Sequence, residues 1–169
     1  MPGIIVEGAE QQGKSTICRL LNERLNIPII HMNKNYGFID GKFDYVESYF
    51  VSINGTNQII FDRHYLSEIV YGKYFNRNNI TETMRKEIEL RLNNSGYMIV
   101  LLSRPGYEWI DRDEMVDKQQ NDRIIELYNE EIVKCETEYL IINSLHPSKS
   151  IDLIESYYNK LCRKYYNVY

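Results

Sequence analysis

Gly8-Ala9-Glu10-Gln11-Gln12-Gly13-Lys14-Ser15, followed by Thr16, has the spacing G-x-x-x-x-G-K-S/T. Glycines at both ends let backbone N–H groups turn around an anion, and a following helix adds the positive end of its dipole. A lysine then reaches the outer phosphates of a triphosphate, and the neighbouring hydroxyl can take a place on Mg²⁺. Gly8, Gln11, Gln12, Gly13, Lys14, Ser15 and Thr16 are therefore candidates to hold a triphosphate, with Ser15 as a metal ligand. A plain glycine turn before an amphipathic helix explains the glycines but not Lys14-Ser15. A second cluster begins at Asp62-Arg63-His64 and continues through Ser67, Glu68 and Tyr71. An Asp leaving a strand beside such a loop can hold Mg²⁺ through water. An Arg directly after it brings a planar five-donor fork that can clamp a second phosphate.

Two further stretches carry charge. Glu7 stands immediately before the phosphate loop, and residues 103–114 read Ser-Arg-Pro-Gly-Tyr-Glu-Trp-Ile-Asp-Arg-Asp-Glu. Pro105-Gly106 breaks the preceding strand, and the dense charge behind it suits a mobile segment better than a core helix. Arg104 and Arg112 are the arginines of that stretch. His31, His64 and His146 show no metal or triad spacing.

The elements that must position these residues are legible as alternating patterns. Apolar runs at 3–7, 28–31, 58–61, 97–103 and 139–143 read as buried parallel strands. A helix is expected from Lys14 to Leu25, with Ile17, Leu20, Leu21 and Leu25 on its inner face. Three more stripes follow: Met84, Ile88 and Leu92 behind an Asn79/Glu82 capping box; Ile124, Leu127, Tyr128 and Ile132; and Ile151, Ile154, Tyr158, Leu161 and Tyr165 behind Ser148. Strands alternating with helices predict an α/β chain, one domain over residues 1–169, in a P-loop NTPase-type three-layer α/β/α architecture with a five-stranded parallel sheet and a small lid.

Composition bounds the function. The chain has 169 residues and a net charge of −4, from 20 basic and 24 acidic side chains. A mild acidic balance argues against nucleic acid as a partner, since a polynucleotide calls for a basic track. Apolar runs are far too short to cross a bilayer. The N-terminus has no signal-peptide pattern, and the three cysteines, Cys18, Cys135 and Cys162, have no metal-type spacing. A cytoplasmic protein with reduced thiols is expected. No N-K-x-D motif stands at a strand–loop junction where a guanine-reading GTPase would need it.

Two motifs together resemble the thymidylate kinase family of P-loop nucleotide kinases. Its phosphate loop, E-G-x-D-G-x-G-K-S/T-T, is matched by Glu7-Gly8-Ala9-Glu10-Gln11-Gln12-Gly13-Lys14-Ser15-Thr16. Its D-R-H/Y-x-x-S-x-x-A-Y-Q is matched by Asp62-Arg63-His64, Ser67 and Val70-Tyr71-Gly72. The resemblance implies a deoxynucleoside monophosphate (dNMP) kinase, a short viral or phage-type member, that uses ATP and Mg²⁺ and forms a helix-mediated homodimer. By resemblance Arg63 holds the acceptor phosphate, Glu10 meets the sugar 3′-hydroxyl, and Tyr71 packs under the sugar and disfavours a 2′-hydroxyl. Ser67 and Arg104 join the acceptor side, and Asp62 and Ser15 serve the metal. The resemblance also implies a lid over about residues 104–117 and, with Gln11 and Gln12 where some members place an Arg, a transition-state arginine supplied by Arg112 or Arg104. The chain is shorter than most members, has Gly72 for Gln, and places Glu68 where the family reads the base. Deoxynucleoside kinases, a related family, carry E-R-S-x-x-S-D there, with the acidic residue facing the base. That match keeps open a kinase that phosphorylates the 5′-hydroxyl of a deoxynucleoside, with Glu7 as proton acceptor. With a phosphate acceptor Glu7 would instead organise the waters of Mg²⁺. The aromatics Tyr36, Phe38, Phe43, Tyr45, Tyr49 and Phe50 include the expected base-stacking partners, and residues 143–147 are expected beside the donor adenine.

Overall fold

In the computed structural model, which describes residues 2–32, 38–39, 42–43, 45–48, 58–77, 79–104, 106–110, 116–143 and 146–166, five short strands pair in parallel. They are β1 (Ile4–Glu7), β2 (Ile29–His31), β5 (Ile60–Asp62), β6 (Met98–Leu102) and β7 (Tyr139–Ile142), ordered β2-β5-β1-β6-β7. A two-residue antiparallel pair, β3 (Phe38–Ile39) with β4 (Lys42–Phe43), stands apart from the sheet, and the single turn α2 (Tyr45–Ser48) follows it. Neither was foreseen from the sequence pattern.

Helices cover both faces of the sheet, so every residue of β1 and β6 is buried. Strand alternation divides the core in two. Ile5, Phe61, Ile99 and Leu101 face α3 (Tyr65–Tyr74), α4 (Glu82–Asn94) and α5 (Lys118–Ile132), meeting Leu66, Val70, Ile88, Leu92, Ile124 and Tyr128. Ile4, Val6, Ile60, Met98 and Val100 face α1 (Lys14–Leu25) and α6 (Pro147–Tyr166), meeting Ile17, Leu21, Ile151, Ile154 and Tyr158. The expected stripes are thus the core faces of α1, α4, α5 and α6, and the three-layer α/β/α arrangement with five parallel strands is the one the chain adopts.

Helix starts differ in detail from the sequence reading. Thr81, not Asn79, caps α4, its hydroxyl accepting the Met84 N–H at 3.3 Å. The Asn79 amide is engaged elsewhere, donating to Glu68. At α5 the Asp117 carboxylate accepts from Gln120 N at 2.8 Å, and the Gln120 side chain accepts from Asp117 N at 2.9 Å. This reciprocal cap fixes the entry of the helix. Among the described residues no helix is long and apolar enough to cross a membrane.

Parallel pairing brings the C-terminal ends of β5, β1 and β6 side by side, with Val6 opposite Asp62 and Glu7 opposite Leu101. The chain leaves β1 in one direction for β2 and β5 and reaches β6 on the other side. That crossover opens a crevice at the carboxyl edge of the sheet, where α/β folds bind ligands.

Candidate active site

The phosphate loop leaves β1 through backbone that only glycine adopts without strain. Gly8 has φ 146°, and a Cβ there would meet the Leu102 carbonyl at 2.7 Å. Gly13, at φ 84°, caps α1, and a Cβ there would meet the Arg104 guanidinium at 2.9 Å. Lys14 is not the solvent-facing side chain its role suggests. It is 7% exposed, and its ammonium donates to the Ala9 carbonyl at 2.6 Å. Burial, with the Arg63 charge adding to it, pushes its pKa down to about 8, against the pull of the Glu10, Asp62 and Glu7 carboxylates.

Glu10, Gln11, Lys14, Ser15, Asp62 and Arg63, together with Gly13, Thr16, His31 and Met32, line a cleft of about 420 Å³. Ser15 Oγ donates to Asp62 Oδ2 at 3.3 Å, and His31 Nδ1 lies 3.0 Å from the same oxygen. Asp62 Oδ1 is buried without a hydrogen-bond partner among the described residues. A buried carboxylate oxygen left open beside a hydroxyl is a donor set that suits a hard divalent cation and its waters.

In the same cleft Arg63 adopts φ 70°, rare for a side chain of this size, with its N–H held by the Val6 carbonyl at 3.0 Å. Its guanidinium donates to Glu10 Oε1 at 2.5 Å and lies 5.3 Å from the centre of the Tyr71 ring. The Tyr71 hydroxyl donates to the same Glu10 oxygen at 3.1 Å. Burial alone would raise the Glu10 pKa, but the charges of Arg63 and Lys14 outweigh it and hold the carboxyl below its ordinary value. Arg63, Glu10 and Tyr71, read separately from two motifs, thus form one cluster.

Glu7 and Ser67 lie behind that cluster. The Glu7 carboxylate is fully buried, with Oε1 accepting His64 N–H at 2.9 Å and Ser67 N–H at 3.3 Å. Its Oε2 accepts the Ser67 hydroxyl at 2.5 Å and the Tyr128 hydroxyl at 3.5 Å. His64 offers α3 no side-chain cap, so a carboxylate from the neighbouring strand caps it instead. Burial dominates the titration of Glu7 and raises its pKa to about 7, despite the Ser67 hydroxyl, the Arg63 charge and the two N–H groups. Glu68, on the next position of α3, accepts from the Asn79 amide at 2.5 Å.

Arg104 does not line the 420 Å³ cleft. Its N–H donates to the side chain of fully buried Gln12 at 2.7 Å, and its guanidinium lies against Gly13. There Nε and Nη2 are buried without partners among the described residues, and burial lowers its pKa. Arg104 borders a second cleft of about 570 Å³, shared with Ser103, Lys118, Asp122, Asn129 and Asn143. Arg112 and the side chains of the six aromatics between β2 and β5 lie outside the described residues, as do Ser144 and Leu145.

Sequence reasoning missed two contributors. His31 ends β2 and reaches Asp62 only because β2 and β5 are neighbours. Asn121, fully buried in the first turn of α5, hydrogen-bonds both backbone groups of Glu10. The Asp117/Gln120 spacing could have marked the start of α5, but no pattern marks that contact.

No protein-family model matches the chain, and no curated protein matches its sequence. Solved structures do. The YorR protein from Bacillus subtilis, in complex with phosphorylated GDP, is 24% identical with a TM-score of 0.70, covering 92% of this chain and 96% of its own. Deoxyadenosine kinase from M. mycoides, with products dCMP and a flexible dCDP bound, is 16% identical with a TM-score of 0.61, covering 95% and 100%. The same enzyme with bound dATP gives 16% identity and a TM-score of 0.58 over 94% and 99%. Likeness at these identities speaks for the fold. With the glycine loop between β1 and α1, the class is settled: a P-loop NTPase-type α/β fold.

Proposed function

We propose that this chain is a nucleotide kinase that transfers the γ-phosphoryl group of ATP to a deoxynucleoside monophosphate, giving ADP and a deoxynucleoside diphosphate. One observation carries the reading. A single cleft is lined both by Lys14, Ser15 and Asp62, which suit a triphosphate and its metal, and by Arg63 and Glu10, with the Tyr71 hydroxyl bonded to Glu10. Phosphoryl transfer asks little covalent chemistry of a protein and much positioning and charge stabilisation. Lys14 exchanges the Ala9 carbonyl for β- and γ-phosphate oxygens, a stronger charge-assisted bond. Ser15 and Asp62 are the residues that would hold Mg²⁺, which when bound neutralises charge on the transferred group. Arg63 grips the acceptor phosphate while Glu10 and Tyr71 meet the deoxyribose. Arg104, beside Gly13, faces the donor side, and the 570 Å³ cleft reaching Asn143 leads toward the expected donor-base site. The segment over 104–117 excludes water, which would otherwise compete as acceptor.

A second reading has a specific footing. A carboxylate 2.5 Å from Arg63 already neutralises the fork that would attract an acceptor phosphate. That arrangement also suits an uncharged acceptor, the 5′-hydroxyl of a deoxynucleoside. One experiment separates the two: ADP release from Mg·ATP, measured across a matrix of nucleosides and their monophosphates. Faster use of monophosphates supports the dNMP kinase. Faster use of free nucleosides overturns it in favour of the second reading.

A further inference from the structure

Two side-chain amides tie the phosphate loop to its surroundings, that of Asn121 gripping the Glu10 backbone and that of Gln11 gripping the Ile110 backbone. Asn121 Oδ1 accepts the Glu10 N–H at 2.9 Å, and Asn121 Nδ2 donates to the Glu10 carbonyl at 3.0 Å. One amide thereby serves both backbone groups of one residue, as a neighbouring strand would. The remaining N–H of Nδ2 donates to the Tyr107 hydroxyl at 2.9 Å, and that hydroxyl donates to Asp122 Oδ1 at 3.0 Å. One residue along, the pattern repeats with the roles reversed. Gln11 Nε2 donates to the Ile110 carbonyl at 2.8 Å, and Gln11 Oε1 accepts the Ile110 N–H at 2.9 Å. The middle of the loop is thus fastened to α5 on one side and to residues 106–110 on the other.

Asn121 is fully buried, so leaving its amide unpaired would cost free energy. The reciprocal cap of Asp117 and Gln120 holds the helical turn that carries it. The peptide it grips belongs to Glu10, whose carboxylate receives both Arg63 and Tyr71. Glu10 is long enough to place its carboxylate in many ways, and fixing both backbone groups removes the backbone share of that freedom.

We infer that Asn121 is a positioning residue for the acceptor half of the site. By holding the Glu10 peptide in both directions it sets the Glu10 carboxylate on Arg63 and Tyr71, and through Tyr107 it fixes the register of residues 106–110 against the loop. The acceptor part of this inference rests on the kinase reading above; the clasp itself does not.

Kinetics and amide exchange together test it. Asn121→Ala should raise the acceptor KM about ten-fold, the loss expected for one to two buried hydrogen bonds. It should change kcat and the KM for ATP by less than about three-fold. Repeated in a Glu10→Ala background, the substitution should leave the acceptor KM where Glu10→Ala alone puts it. Further loss in that background, or equal losses for ATP and acceptor, overturns the positioning role in favour of general structural support. Asn121→Asp keeps an oxygen for the Glu10 N–H but loses both donations, and should give an intermediate KM; it decides the matter if Asn121→Ala does not fold. Hydrogen exchange at the Glu10 amide reads the clasp without any turnover. Exchange should accelerate in Asn121→Ala and stay slow in Asn121→Asp, and unchanged exchange in Asn121→Ala overturns the clasp. A wild-type chain that phosphorylates no nucleoside or nucleotide defeats the kinase reading and the acceptor role together, while amide exchange still decides the clasp.

Discussion

Glu7→Gln should remove a pH dependence of stability that the wild-type chain carries. The Glu7 pKa is raised from its ordinary 4.5 to about 7, chiefly by complete burial. Between those values the folded chain keeps a proton that the unfolded chain has released, so wild-type stability falls as pH rises. The contribution is fully present below pH 4.5, is lost on rising through pH 7, and does not change further above it. At about 1.4 kcal/mol per tenfold change in proton affinity, the full span is worth about 3 kcal/mol. Gln keeps the shape and an oxygen for the His64 and Ser67 N–H groups, but it has no charge to bury. The stability of Glu7→Gln relative to wild type should therefore improve by about 3 kcal/mol between pH 4 and pH 8. Urea unfolding of both proteins across that range measures it, and the difference between them cancels the other titrating groups. Parallel curves would refute the reasoning. They would mean that the α3 N–H groups, Ser67 and Arg63 fully offset the cost of burying the carboxylate.

Lys14→Ala should abolish phosphoryl transfer while the chain still unfolds cooperatively, because among the described residues the ammonium donates only to the Ala9 carbonyl. Near-wild-type ADP release from this variant would end the kinase reading. Arg63→Ala should lower kcat/KM for monophosphates by about 1.5–3 kcal/mol, roughly ten- to a hundred-fold, as expected for hydrogen bonds to a charged group; steady-state kinetics with a saturating triphosphate read it. Arg112→Ala should depress use of monophosphates more than use of nucleosides, and equal effects on both would detach Arg112 from the acceptor. Glu68, an acceptor-only side chain when ionised, should favour amino-bearing dAMP, dCMP or dGMP over dTMP by about 1–3 kcal/mol, with the gap narrowed in Glu68→Gln. Strict dTMP preference, unchanged in that variant, would show that Glu68 does not face the base.

Strands and core stripes were legible because burial on both faces leaves a chemical trace: Met98–Leu102 has no polar residue to spare. The phosphate loop was legible because its glycines answer a local backbone demand at Gly8 and Gly13. Helix α3 was not singled out, since its core positions, Leu66 and Val70, are interleaved with Ser67, Glu68 and Tyr71. Asn79 fitted a capping-box spacing with Glu82, and only the structure shows its amide spent on Glu68 while Thr81 caps the helix. The contacts Asn121–Glu10 and Glu7–Ser67 were beyond reach for a different reason. They join residues 111 and 60 positions apart, and which strands lie adjacent decides them.

Charge in the cleft separates the two acceptors. Its described lining offers Lys14 and Arg63 as cations, with the Glu10 and Asp62 carboxylates beside them. With Asp62 holding Mg²⁺ and Lys14 turned from the Ala9 carbonyl to the triphosphate, Glu10 would still stay on Arg63. A doubly charged acceptor phosphate must then share Arg63 with a carboxylate in a partly dry site, where like charges repel strongly. A further cation would relieve that repulsion, and the segment over 104–117 carries two arginines, of which Arg104 already stands against Gly13. If that segment closes over the cleft, supplying the other arginine from it would couple acceptor binding to protection of the phosphoryl group. A hydroxyl acceptor brings no charge and would need no such supply. This is why the monophosphate-to-nucleoside ratio, more than either rate alone, is the quantity on which the assignment of Arg63, Glu10 and Arg112 turns.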